Sequence, residues 1–117
     1  MKNFLFVLLL CSFIFSQIGN AADEKVAFKE VSLKVSSSFC RRMDECSKEK
    51  IPISNCIYEM DSVFIYNFAQ LPTDKKVSLT QPELESCLKK IQSISCEQLK
   101  KSQKISGCEF LEKLSAQ

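Results

Sequence analysis

A chain of 117 residues with 45% hydrophobic residues, 16 basic and 14 acidic side chains has material for one modest domain. Its net charge of +2 gives no electrostatic footprint for nucleic acid or an anionic membrane surface. The absence of histidine excludes Ser–His–Asp and Cys–His nucleophile systems and the usual Cys/His zinc sites.

Residues 1–22 read as a secretory signal peptide. Lys2 supplies the early positive charge, Phe4 to Phe15 the apolar run, and Gly19, Ala21 and Ala22 the small residues before a cleavage site. The run holds 12 residues, whereas a membrane-spanning helix needs about 20. The expectation is therefore removal rather than anchoring. Cleavage after Ala21 places Gly19 and Ala21 at the two small-residue positions, and cleavage after Ala22 is the second choice. Cys11 is preceded by Leu8, Leu9 and Leu10 and followed by more apolar residues, so it reads as part of the run rather than as a lipid-attachment site.

Removing 22 of the 117 residues leaves 95, and taking Lys2 away changes 16 basic residues to 15 against the same 14 acidic ones. Residues 23–117 form the expected single domain. A chain of this size buries about 60–70% of the surface that its unfolded form exposes, so covalent staples matter. Six cysteines remain: Cys40, Cys46, Cys56, Cys87, Cys96 and Cys108. An even set in a short exported chain predicts three disulfides and a secreted or periplasmic location. No two of them form a Cys-x-x-Cys pair, which removes the main redox motif.

Gly107 is the single glycine of the 95 residues, and no Asn-Gly or Asp-Gly hairpin pair occurs. The apolar spacing predicts an all-α fold, a small disulfide-stapled bundle of about four to five helices. The first helix is expected over 24–47, with Phe28, Val31, Val35, Phe39, Met43 and Cys46 as its stripe. Ser36, Ser37 and Ser38 weaken its centre and mark a potential break. Pro52 suits the first turn of a second helix, where Cys56, Met60, Val63, Phe64 and Phe68 form the stripe and Pro72 ends it.

From Pro72 to Leu79 the sequence reads as a charged connector. Thr80 with Glu83 is a capping signature, with Pro82 in the first turn. Leu84, Cys87, Leu88 and Ile91 then follow helical spacing. Ser95 with Gln98, and Ser106 with Glu109, repeat that signature before two short helices, the last of them carrying Cys108, Leu111 and Leu114. Every cysteine except Cys40 falls clearly on or beside an apolar stripe. Six cysteines permit many pairings; Cys46 with Cys56 is the favoured one, since both lie near the turn between the first two helices.

Little in the chain points to chemistry. Asp44 and Glu45, Glu59 and Asp61, and Glu83 and Glu85 are close in sequence but point to different sides of a helix. Arg41–Arg42, Lys75–Lys76, Lys89–Lys90 and Lys100–Lys101 read as solvated faces, with Lys75–Lys76 alone in an exposed connector. Phe64 and Phe68 are candidates to line a pocket for a small apolar ligand, although a Phe stripe at this spacing is more often core.

The stretches Glu85-Ser-Cys87-Leu-Lys-Lys-Ile91, Ser95-Cys96-Glu97-Gln98-Leu99 and Gly107-Cys108-Glu109-Phe110-Leu111 resemble a group of small exported six-cysteine bacterial proteins. Cys40, Cys46 and Cys56 match the first half of that outline. The resemblance implies a helical disulfide fold in a bacterial periplasmic or secreted setting and carries no activity. The expectation is a non-enzymatic domain, without cofactor or nucleic acid, that binds a protein or surface partner. The alternative is a carrier of a small apolar ligand at Phe64 and Phe68.

Overall fold

The structure, a computed structural model, describes residues 24–101 and 104–115. The expected signal peptide and its cleavage site lie outside the described residues. Within them the fold is all-α, with five helices, one 3-10 turn, and a single antiparallel bridge between Lys25 and Thr80.

Helix α1 spans Phe28–Cys46. It starts later than the apolar pattern suggests because the chain before it is held extended, with the Val26 amide donating to the Leu79 carbonyl at 2.8 Å. The serines at its centre do not break it. Ser37 donates its hydroxyl to Leu33 O, and Ser32 donates to Asp61 Oδ1 at 2.6 Å on the next helix. Ser32 and Ser36 are buried with Val31 and Val35, so these short side chains are interior residues. Among the described residues the buried Ser36 hydroxyl has no hydrogen-bond partner. Replacing Ser36 with alanine removes that desolvation cost and improves helix propensity, so Ser36→Ala is expected to stabilise the protein by about 1 kcal/mol. A higher midpoint in urea unfolding is the measurement. A loss of stability would show that the hydroxyl is satisfied in the fold.

Six residues later α2 covers Ile53–Gln70. Pro52 stands at the cap rather than in the first turn, and its carbonyl accepts the Cys56 amide. Asp44 Oδ1 accepts the Ile51 amide and ties the turn to the end of α1. Helix α2 ends at Leu71 and Pro72. There Lys76 donates to the Phe68 carbonyl at 2.7 Å, placing a cation on the negative end of the helix dipole.

The connector departs from the sequence expectation. After a 3-10 turn at Thr73–Lys75, Val77 and Leu79 turn inward and are buried. Their alternation is that of a short extended segment with one inward face, the geometry the Val26–Leu79 hydrogen bond requires. Helix α3 spans Gln81–Ser93. The Thr80 hydroxyl accepts the Glu83 amide, and Leu84, Cys87 and Ile91 are fully buried. Helix α4, Cys96–Lys100, opens with the complete capping box of Ser95 and Gln98.

Helix α5 spans Phe110–Ser115, so Cys108 precedes it rather than lying on it. Glu109 does not close a box with Ser106. Its carboxylate accepts the amide of Gly107, which has φ of +93°. That hydrogen bond, helped by Glu109's own amide, holds the Glu109 carboxyl below its usual pKa. Glycine suits this left-handed turn.

Helix α1 is the centre of the bundle, packing along α2 on one side and α3 on the other. Helix α5 lies against α2, and α4 against α1. The core joins Val31 and Val35 of α1, Val77 and Leu79 of the connector, Leu84, Cys87 and Ile91 of α3, Cys108, and Leu114 of α5.

Three disulfides staple this arrangement: Cys40–Cys56, Cys46–Cys96 and Cys87–Cys108, with Cα separations of 5.9, 5.4 and 4.9 Å. The expected Cys46–Cys56 pair does not form. The turn over 47–52 folds α2 back along α1, so Cys56 in the first turn of α2 meets Cys40, well before the end of α1. Cys46, at that end, is left to reach the first residue of α4. Cys40 is fully buried, although its place on the apolar stripe was the least clear of the six.

Candidate functional site

All six cysteines of the described domain are half-cystines, so their role is structural and no thiol is left there as a nucleophile. Phe64 and Phe68, the candidate pocket residues, are half-buried and pack against the core. The Phe68 ring is stacked on Phe28 at 3.8 Å, and Lys76 Nζ stands 4.6 Å from its centroid. Phe68 is thus committed to contacts within the chain.

The polar residues singled out in the sequence separate in the same way. Asp61 accepts the Ser32 hydroxyl and Asp44 accepts the Ile51 amide, so both serve the fold, while Glu59 is exposed. Arg41 is exposed, but Arg42 is no solvated residue: its Nε and Nη2 donate to the Ile94 carbonyl at 2.9 and 2.7 Å, and its Nη1 donates to Glu45. The guanidinium therefore caps the end of α3 from α1. Lys76, in the supposed exposed pair, is half-buried over Phe68. Adjacent basic residues on opposite sides of an element meet different surroundings, a distinction that a dibasic pattern does not carry. Among the described residues no group of three His, Cys, Asp or Glu side chains is arranged to hold a metal ion. Among them, too, no helix is long and apolar enough to cross a membrane.

Two surface features remain. The first is the outer face of α2. None of the 18 residues of this helix is fully buried. Tyr58 is 75% exposed, Tyr66 64% and Ile65 38%, and Ser62 and Ala69 complete the same face. Val63, expected on the inner stripe, is 54% exposed and lies toward the flank. Glu59 is on the rim, and no lysine or arginine occurs in Ile53–Gln70. The signal was present in the sequence: α2 carries more large apolar residues than one stripe against α1 can bury.

The second is a groove of about 270 Å³ where the end of α3 meets α4 and the segment before Gly107. Ile94 and Ile105 supply its apolar surface, and Lys90, Gln98, Lys104 and Ser106 its polar rim. Phe64 and Phe68 take no part in it. No known protein family, curated protein or solved structure matches this chain.

Proposed function

We propose that the protein is an exported, non-enzymatic helical domain that binds a protein partner through the outer face of α2. The observation that carries this is the exposed apolar face itself: Tyr58, Ile65 and Tyr66 point outward from a helix already packed on its other side. Contiguous exposed apolar surface is costly in water and is retained where another surface covers it. Tyrosine is among the residues enriched at such interfaces, since it offers a large rigid apolar area with a polar tip. With Glu59 on the rim and no basic residue on the helix, the complementary partner offers apolar side chains flanked by basic ones.

Three disulfides in a chain of this size fit an oxidising compartment, and the charged, apolar and small-residue stretches of residues 1–22 fit export. A periplasmic or secreted bacterial setting is the specific form of this proposal. The lack of histidine and the pairing of all six domain cysteines support a role in binding rather than catalysis.

The test is site-specific photo-crosslinking in the source organism. A benzophenone-bearing phenylalanine at Tyr58 or Tyr66 is expected to link to one and the same protein, while the same group at exposed Lys48 does not. Ile65→Asp is expected to weaken that complex by about tenfold or more, because it puts a charge into a desolvated contact. Crosslinks that arise equally from Lys48, or a complex indifferent to Ile65→Asp, would overturn the assignment. Crosslinking only to a second copy of the chain would replace it with self-association.

A further inference from the structure

We propose that the groove at the end of α3 binds a small organic anion, a short carboxylate with an apolar tail, independently of the α2 face. Its lining includes two lysines, Lys90 and Lys104, and none of the residues lining it is acidic. Gln98 adds an amide whose oxygen is engaged by the Ser95 amide in the capping box, which leaves its nitrogen as a donor. Ser106 adds a hydroxyl. Ile94 and Ile105 give the floor an apolar surface suited to a few methylene groups. Cations and donors around an apolar floor are complementary to a ligand with one carboxylate and a short hydrocarbon tail. At about 270 Å³ the groove lies just below the usual range of ligand pockets, which limits it to a molecule of a few heavy atoms.

The groove is also built rather than incidental. Cys87–Cys108 anchors the segment before α5 to α3, and Cys46–Cys96 fixes the start of α4 to α1. Arg42 holds the Ile94 carbonyl from behind. Gly107 brings its backbone close to α3: a Cβ there would stand 3.6 Å from Ser86 Oγ and 3.7 Å from Lys90 Cγ. Walls tied on both sides lose little freedom when a ligand enters. Lys104 pairs with Glu112 at 3.4 Å, but its side chain is 83% exposed and that of Glu112 47% exposed. A ligand carboxylate can replace so exposed a partner at little cost.

Titration of the oxidised, isotopically labelled protein with hexanoate, followed by amide chemical shifts, tests the proposal. Saturable shifts are expected at Ile94, Gln98, Ile105 and Ser106, with a Kd of about 1–10 mM for so small a ligand. Hexanol, which lacks the charge, and acetate, which lacks the tail, are each expected to bind about tenfold more weakly. The double variant Lys90→Gln/Lys104→Gln is expected to weaken hexanoate binding about tenfold. Lys48→Gln/Lys50→Gln, which removes the same charge elsewhere, is expected to leave it unchanged. Unsaturable shifts, equal binding of hexanol or acetate, or indifference to the Lys90/Lys104 pair would each overturn the assignment. None of these outcomes depends on the α2 partner.

Discussion

Replacing Cys46 and Cys96 together with alanine is expected to lower the free energy of unfolding by about 4 kcal/mol. The basis is the length of chain that the bridge closes. Cys46–Cys96 spans 50 residues, against 16 for Cys40–Cys56 and 21 for Cys87–Cys108. Loop-closure entropy gives about 3 kcal/mol for each of the shorter two. The three do not add, because the 40–56 loop overlaps the 46–96 loop and either bridge already limits the other. Position reinforces the ranking. Helix α4 has only five residues, too few to persist without tertiary support, and this bridge is its covalent tie to α1. Both cysteines are half-exposed, whereas Cys87 and Cys108 are buried, so limited reduction should open Cys46–Cys96 well before Cys87–Cys108. Guanidinium midpoints of the three double variants, with mass mapping of partially reduced protein, measure both orders. A Cys46/Cys96 variant more stable than the Cys40/Cys56 variant would remove the loop-length argument.

The sequence contains the helices almost in full, and the reason is local. Thr80 with Glu83 and Ser95 with Gln98 are capping partners within three residues of each other, so their contribution is fixed before any tertiary contact forms. Cysteine pairing is not local. It depends on how far α1 runs past its crossing with α2, and a turn of six residues leaves that offset open. The serines of α1 were misleading because propensity describes an exposed helix. In a buried one, short side chains at Ser32 and Ser36 are an asset that permits close packing beside Val31 and Val35. Val77 and Leu79 were hidden by the charges around them, Asp74, Lys75 and Lys76. The surplus of apolar residues on α2 was legible, but which of them faced outward was not. Val63 and Phe64 are neighbours, and only the position of α1 decides between them.

That division between inward and outward residues sets the second large effect. Leu84→Ala is expected to cost about 3 kcal/mol, whereas Ile65→Ala should cost only about 1 kcal/mol. Leu84 is fully buried in the core shared by α1, the connector and α3, and cutting it to alanine leaves a cavity beside Val31, Val35, Val77 and Leu79. The connector is the part least able to collapse into that space, because the Val26 amide pins the Leu79 carbonyl and Lys76 is held at the end of α2. Ile65 has the same number of carbons but stands on the outer face of α2 with 38% of its surface exposed, so its loss removes less buried area and opens no enclosed cavity. Paired denaturant unfolding of the two variants measures the contrast. If Ile65→Ala cost as much as Leu84→Ala, the outer face of α2 would be core, unavailable to a partner. If it costs far less than Leu84→Ala while weakening the crosslinked complex, the same side chain is kept for recognition more than for folding.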